Sequence, residues 1–515
     1  MDKQNLPIPL TKTPGAMPAW RSTVSALELH SVCAKIKDDG GRMVALWGTD
    51  ERERGDGFAV HVALANQFGL ICMKLSISES SPEYPSIDDL FPVASRMQRA
   101  LYDLLGVRAQ GASDQRPWLR HGAWPTEVFP LRKEVDVNAD YPAGKDDYPY
   151  VQVTGSGVHE IAVGPVHAGI IEPGHFRFSV VGERVLRLEE RLGFKHKGIE
   201  KLAEGMSISE AARLAGRVSG DSTVAYAWAY AMAVEGVAGF TPGLRSLMLR
   251  ALMLERERIA NHLGDLGYLG NDVALAFGFS QFWRLKEEWL RTQHDLFGHR
   301  YLMDCIIPGG VGCDLDAVGL SRLHAEADVV EQQVRNLQDI YHEHAGVQDR
   351  FLTTGRVSPS LAAQMGLAGL AGRASAQALD LRAQFPAAPY DQLEVNIVTQ
   401  RNGDVAARVM VRFDEIYESL RLIRLILAKL PDGATMQELP PVPDNSFGIG
   451  WVEGWRGEVL IALHTGIGGA IHRLHPHDPS WQNWPLLEHA IIGNIVPDFP
   501  LINKSFNLSY SGQDL

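Results

Sequence analysis

Residues 222–237 read STVAYAWAYAMAVEGV, and residues 243–270 read GLRSLMLRALMLERERIANHLGDLGYLG. The first stretch is apolar on nearly every face, which predicts a helix buried all round. The second keeps apolar residues at helical spacing for its whole length and predicts a long helix. Thr241-Pro242, just ahead of it, read as an N-cap and a first-turn proline. A third helix, DVAARVMVRFDEIYESLRLIRLILAKL (404–430), is expected to stop at Pro431 and Gly433. SISEAARLAGRV (207–218) opens with Ser207-x-x-Glu210, a capping box. Long helices with such apolar faces bury them against one another, so this region is expected to be a helix bundle.

Strand patterns flank the bundle. HFRFSVVGERVLRLEERLG (175–193) alternates around Val-Gly-Glu and predicts a hairpin. RMVALWGTDE (42–51), FAVHVALANQ (58–67) and LICMKLSI (70–77) are strand-like runs, and ASRMQRALYDLLGV (94–107) follows at helical spacing. The expected fold class is therefore α+β. Residues 1–24 read as a flexible lead and 25–131 as a small α+β domain. Residues 132–155 gather charge, Pro, Gly and Tyr and read as a linker. Residues 156–515 form a mainly helical domain with a β appendage near its start and short strands and loops at its end.

Composition narrows the function. The 515 residues suit two domains, with 45% apolar and 22% charged side chains. A net charge of -13 without a Lys/Arg run makes nucleic acid a poor partner. No apolar run approaches the ~18 residues of a membrane span, and the N-terminus lacks the h-region of a signal peptide. Membrane attachment is therefore expected through other subunits. Of the four cysteines, Cys33 and Cys72 lie in apolar, strand-like sequence and read as buried small residues. Cys305 and Cys313 flank a turn at a spacing that matches no common iron–sulfur or zinc pattern, and a reducing compartment is expected. GGVG (309–312) lacks the context of a phosphate loop, and there is no dinucleotide fingerprint. Two histidine groups, His342 with His344 and His472 with His475 and His477, are weak metal signals. The first reads as solvated helix surface and the second as a Pro-rich loop.

GRVSGDS (216–222) sets two serines three apart, the spacing of a metal-binding Cys-x-x-Cys with oxygen in place of sulfur. Locally, Asp221 or Ser222 reads as the cap of the buried helix that follows.

GPVHAGIIEPGHFRF (164–178) with FKHKGIEKLAEG (194–205) resembles the start of the D polypeptide of NADH–quinone oxidoreductase, respiratory complex I. It is similar too to the large subunits of membrane-bound nickel–iron hydrogenases. GRASAQALDLRAQFPAAPY (372–390), GDVAARVMVRFDEIYESLRLI (403–423) and EGWRGEVL (453–460) match further signatures of this superfamily. The last residues, from Asn483, look like the C-terminus of the formate-hydrogenlyase and hydrogenase-4 type. YPSIDDLFPVASRMQRALYDLLGV (84–107) and FPLRKEV (129–135) resemble the C polypeptide of complex I, which is fused ahead of the large subunit in that type. One departure is Gln98-Arg99-Ala100, where the family reads Glu-Arg-Glu.

The resemblance implies a site. Hydrogenase relatives hold nickel and iron by four thiolates from two Cys-x-x-Cys pairs, and sulfur suits such metals. Those positions here are Ser219, Ser222, Ser509 and Gly512, so no metal centre is expected. With three residues following Gly512, no tail of the kind that hydrogenases process is expected. Glu172 matches a proton-relay glutamate, and a carboxyl in a desolvated cavity can deliver protons. The alternative is a loop carboxylate capping backbone amides. His167 stands in the same loop, where complex I has a histidine taken to protonate quinone. Arg217 aligns with an arginine beside the terminal iron–sulfur cluster of a partner subunit; the alternative is a salt bridge to a neighbouring helix. Gly220 falls near a quinone-binding tyrosine and is expected in the cavity wall. Asp272, ten residues after His262, matches an aspartate near that cavity, or else is an N-cap. The histidine beside the terminal cluster aligns near Leu302-Met303 and is absent.

The resemblance therefore implies the large subunit of a membrane-associated oxidoreductase. It would take electrons from a small iron–sulfur subunit to quinone or a similar acceptor, coupled to ion translocation by antiporter-like membrane subunits, with room for further electron-input subunits. No cofactor is expected on this chain alone, and any NADH would bind another subunit. The expected location is the cytoplasmic face of the inner membrane, peripheral through those partners. Two other readings stand beside it: a nickel–iron hydrogenase, and a non-catalytic docking scaffold.

Overall fold

The computed structural model describes residues 6–136, 138–167 and 171–515. Near the N-terminus β1 (Thr11–Lys12), β2 (Ala19–Thr23), β3 (Arg42–Asp50), β4 (Phe58–Asn66) and β5 (Gly69–Ile77) make one sheet in the order β1-β2-β5-β4-β3. The three expected strand runs are β3, β4 and β5, paired antiparallel. The lead behaves differently from its expectation as flexible chain. β2 pairs in parallel with β5, with Trp20 opposite Ile71, so tertiary pairing supplies what a short Pro-flanked segment does not signal locally. α1 (Ala26–Asp38) packs on this sheet, opened by a Ser25/Glu28 capping box. Cys33 is buried in this helix rather than in a strand, while Cys72 is buried in β5. β6 (Glu83–Pro85) and β7 (Arg108–Gln110) bracket α2 (Ala94–Leu105), which packs across β3.

Among its described residues the segment read as a linker has no helix or strand, yet it is clamped. Asp146 accepts two bonds from Arg191 at 2.7 and 2.6 Å, and the Tyr148 hydroxyl accepts from Arg99 at 2.8 Å. After it come β8 (Val158–Val163), β9 (His175–Val181) and β10 (Arg184–Arg191), in the order β10-β9-β8. β9 and β10 are the expected hairpin, turning at Gly182 with positive φ.

The bundle begins with α3 (Ile199–Leu202) and α4 (Ile208–Ala215), whose Ser207/Glu210 capping box is present. It continues through α5 (Thr223–Ala238), α6 (Leu244–Asp272) and α7 (Ala276–Phe297). A small hairpin, β11 (Ile306–Ile307) and β12 (Gly310–Val311), precedes α8 (Ala317–Glu343); Pro308 and Gly309 make its turn, so GGVG runs from the turn through β12. Short helices α9 (Ala345–Phe351), α10 (Pro359–Met365), α11 (Gly369–Ala374) and α12 (Leu381–Gln384) lead to α13 (Val405–Lys429). β13 (Phe447–Glu453), β14 (Glu458–Thr465) and β15 (Ile471–His477) form an antiparallel sheet. The chain closes with α14 (Ser480–Ala490), α15 (Phe499–Phe506) and α16 (Tyr510–Asp514), where the sequence suggested only strands and loops. The class is α+β, as expected.

α5 is buried from Thr223 to Gly236. Its alternating alanines allow a close approach to β13: a Cβ on Gly450 would lie 1.8 Å from the Ala229 carbonyl oxygen, and one on Gly448 would lie 2.4 Å from that of Ala233. α6 starts at Leu244 with Gly243 as N-cap, so Thr241 and Pro242 precede the cap. The charged run LERER of α6 is buried; Arg256 pairs with Glu326 and Arg258 with Glu415, while Glu257 accepts backbone N–H groups of α5 instead. Glu255 accepts from Arg382 and Tyr390, and Asp265 accepts from Arg412 of α13.

His472, His475 and His477 are in β15 and buried, rather than in a loop. They sit at the seam between the N-terminal sheet and the bundle. Trp47 of β3 stacks between His61 and His475, with ring centroids 5.1 and 5.2 Å apart. Arg96 crosses the seam to Glu190 (3.1 Å) and Glu488 (2.8 Å). His342 and His344 are exposed at the end of α8, and His344 caps α9. Among the described residues, no three His, Cys, Asp or Glu side chains converge as a metal site. Nor is any helix among them long and apolar enough to cross a membrane.

Candidate active site

The turn between α4 and α5 and the C-terminal segment meet. Ser219 and Ser509, 290 positions apart, join hydroxyl to hydroxyl at 2.9 Å. Ser219 donates to Asp221 Oδ1 at 2.8 Å, which spends its proton, so Ser509 donates to Ser219. Ser509 Oγ also accepts the Gly512 backbone N–H at 2.8 Å. Ser222 receives Arg456 Nη1 at 3.3 Å. The four positions singled out by spacing and resemblance therefore stand at one place.

Gly512 is hemmed in. A Cβ there would lie 2.3 Å from Asp478 Oδ2. Asp478 cannot easily yield, because it accepts the Tyr226 hydroxyl at 2.7 Å and the Ser480 backbone N–H at 2.8 Å. Burial and the adjacent Asp478 push the Tyr226 phenol well above its usual range, so it stays protonated and donating.

Asp221 is the hub on the other side. Arg456 grips it with two bonds, at 2.7 and 2.5 Å, while Trp455 Nε1 and Asn261 Nδ2 donate to its carbonyl, each at 2.8 Å. Burial favours its neutral form, but the charge and hydrogen bonds of Arg456 outweigh that and hold the carboxyl at about 2. Asp221 does not cap α5, and the N-cap residue Ser222 makes no side-chain cap bond. Glu257 of α6 does that work from outside, accepting the N–H groups of Val224 (2.7 Å) and Ala225 (3.3 Å).

Glu172 lies beside this centre. Both its carboxylate oxygens are 3.0 Å from Ser511 Oγ, and one accepts the Ser511 N–H at 3.2 Å. It is thus bonded to a backbone amide, as its alternative reading held, and at the same time placed two residues from Ser509. Lys197 ties the same segment to the turn, donating to Val218 O at 3.0 Å and Ser511 O at 3.4 Å. His167 Nε2 bonds the carbonyl of Gly174, two residues after Glu172, at 2.8 Å.

The other expected residues divide. Arg217 makes a two-bond ion pair with Asp304 (3.0 and 2.7 Å), their side chains 41% and 44% exposed, in a turn rather than a helix. Gly220 has room: an added Cβ would meet only Met303 Cε, at 3.7 Å. Asp272 ends α6 and caps no helix start. Burial raises its pKa, and Lys504 and Asn271 oppose the rise. Sequence reasoning missed Arg456 and Asp478. EGWRGEVL contains Arg456, but no local pattern ties it to an aspartate 235 positions earlier.

Nickel–iron chemistry needs four soft anionic donors. The site holds two protonated hydroxyls already engaged with each other, a third taken by arginine, and a glycine with no space for a side chain. The residues do not fit that centre.

Comparison with known proteins places the chain among the large subunits of redox complexes, with a small α+β unit fused ahead. Residues 22–141 match the family described as the respiratory-chain NADH dehydrogenase 30 Kd subunit, and residues 272–448 match the 49 Kd subunit family. The chain is 32% identical to formate hydrogenlyase subunit 5 of Escherichia coli (strain K12), over 92% of this chain and 85% of that protein. It is 31% identical to hydrogenase-4 component G of the same organism, over 92% and 84%. It is 27% identical to the fused C/D polypeptide of NADH-quinone oxidoreductase from Bacteroides thetaiotaomicron, over 83% and 86%. A chain in the structure of the archaeal membrane-bound sulfane sulfur reductase has the same fold, with a TM-score of 0.66 at 24% identity, over 71% of this chain and all of that one. The protein belongs to the fused 30/49 Kd family of formate hydrogenlyase subunit 5, hydrogenase-4 component G and NADH-quinone oxidoreductase C/D, and it is an oxidoreductase subunit.

Proposed function

We propose that this subunit passes electrons from the iron–sulfur cluster of a small partner subunit to a quinone or similar two-electron acceptor, without nickel or iron of its own. Glu172 supplies a proton to the reduced acceptor. Arg217, on the surface beside the 219–222 turn, faces the donor cluster, where a fixed cation eases electron arrival. The Ser219–Ser509 pair, Gly220 and Asp272 line the space that the acceptor enters. The subunit is peripheral, held at the cytoplasmic face of the membrane by antiporter-like partners that couple the electron flow to ion movement.

The observation that carries this reading is the closure of the former ligand positions. A hydroxyl pair and a glycine pressed on Asp478 stand where a metal would need thiolates, while an acid remains beside them. The purified complex should contain no stoichiometric nickel and should reduce quinone analogues. Glu172→Gln should slow that turnover by on the order of a hundredfold. Stoichiometric nickel, or turnover untouched by the substitution, would sink the proposal.

A further inference from the structure

A narrow cleft lies behind Asp221, between the 216–222 turn, α6 and α7. Gly220, Asp221, Glu257, Asn261, Lys286 and Gln293 line it, and Tyr301, 42% exposed, stands at its mouth. Its water-sized space is about 10 Å³, roughly what one water requires.

Lys286 enters through a gap in α6. A Cβ on Gly264 would lie 2.7 Å from Lys286 Nζ and 3.2 Å from its Cδ. A mid-helix glycine costs about 0.5–1 kcal/mol against alanine, and here it admits a lysine chain. Among the described residues the ammonium makes no hydrogen bond or ion pair; it stands 5.2 Å from the Trp283 ring centre. Gln293, 1% exposed, gives a second sign. Its Nε2 donates to the Arg300 carbonyl at 2.5 Å, which fixes the amide and leaves buried Oε1 without a partner. A three-proton donor and an orphaned acceptor thus share a space for one water, next to Asp221.

We propose that Lys286 delivers the second proton of acceptor reduction, through a water held by its ammonium, Gln293 Oε1 and Asp221. The inference rests on the function proposed above. Reduction of a quinone to a quinol takes two electrons and two protons. The electrons come from the partner's cluster, and the Glu172 O–H and a Lys286 N–H break as two quinol O–H bonds form. This leaves a carboxylate and an amine, which solvent reprotonates, the amine by way of the Tyr301 mouth. Glu172 stands near the Ser219–Ser509 pair through its bonds to Ser511, and Lys286 of α7 through the cleft it shares with Asp221, which accepts the Ser219 hydroxyl. Asp221, locked to Arg456, carries no proton and orients the water.

The groups around Lys286 suit a donor. Asp265 of α6 and Asp221 of the turn favour the ammonium. Lys504 of α15 and Arg300 after α7 oppose it. Burial is the largest influence, and the net effect lowers the lysine below its usual range. Activity should therefore fall as pH rises through the lysine's titration.

The test uses the intact complex with a quinone analogue and, as a proton-independent control, ferricyanide. Lys286→Met should lower quinone turnover at least tenfold, leave ferricyanide reduction intact, and remove the alkaline limb of the pH profile. Lys286→Arg keeps the charge but releases no proton, so it should be equally slow. Unchanged turnover in Lys286→Met, or full activity in Lys286→Arg, overturns the assignment while the wild-type enzyme still reduces quinone. A wild-type complex that reduces no quinone overturns the functional reading itself, and this inference with it.

Discussion

Gly512 separates two ideas about the site more sharply than any serine does. A serine can be read as a cysteine lost by one atom, and reverting it looks simple. Gly512 shows that the surroundings have closed over the position, since Asp478 occupies the space a side chain would take. Gly512→Ala should therefore destabilise the protein by about 1–3 kcal/mol, the usual cost of overpacking, rather than stabilise a helical turn. Urea unfolding of the chain checks this; a variant as stable as the parent would show that Asp478 yields freely. Arg217 and Asp304 form the contrasting case. Their ion pair is half exposed, so it contributes little to stability, and its interest lies in where it stands.

At the scale of elements, α5 depends on α6 for its start. Ser222 leaves the first amides of α5 without a side-chain cap, and Glu257 reaches across to accept two of them. Glu257→Ala strands those amides in the interior and should cost about 1–3 kcal/mol. The carboxyl also adds a pH dependence. Burial, the largest influence, pushes its pKa up to about 8, against an ordinary value near 4.5. A raised carboxyl contributes stability that is complete below the ordinary value and is lost as pH rises through about 8. Glu257→Gln should flatten the fall in thermal stability between pH 5 and 8. A slope unchanged from the parent would mean that the carboxyl is ionised throughout.

At the scale of the whole molecule, the N-terminal sheet and the bundle meet at a seam rich in neutral histidine. Burial holds His61 and His477 at about 3, and it is the main cause of the lowered values of His464 and His475. Unfolded, each would take up a proton near pH 6.5. A lowered histidine contributes stability that is present above that value and lost as pH falls below it. The seam should therefore weaken between pH 7 and pH 5. Trp47, stacked on two of these rings, reports on it. Its fluorescence in thermal melts should change at lower temperature at pH 5.5 than at pH 7.5, and a transition independent of pH would contradict this.

Periodicity was enough for the α+β class, the buried α5 and the long α6 and α13, because an apolar face written at helical spacing is a local property of the chain. Collinear motifs were enough for the family. The β2 strand, the C-terminal helices and the burial of the β15 histidines were not legible, because short segments take their conformation from what they pair with. Spacing and resemblance marked Ser219, Ser222, Ser509 and Gly512 as one set. That they touch, and that Asp478 fills the space beside Gly512, only the tertiary structure decided. The same holds for Arg456 on Asp221, Glu257 capping a helix it does not belong to, and Lys286 threading past Gly264. Each joins residues from separate elements, and a contact of that kind is set by how the elements pack, which no local stretch of sequence records.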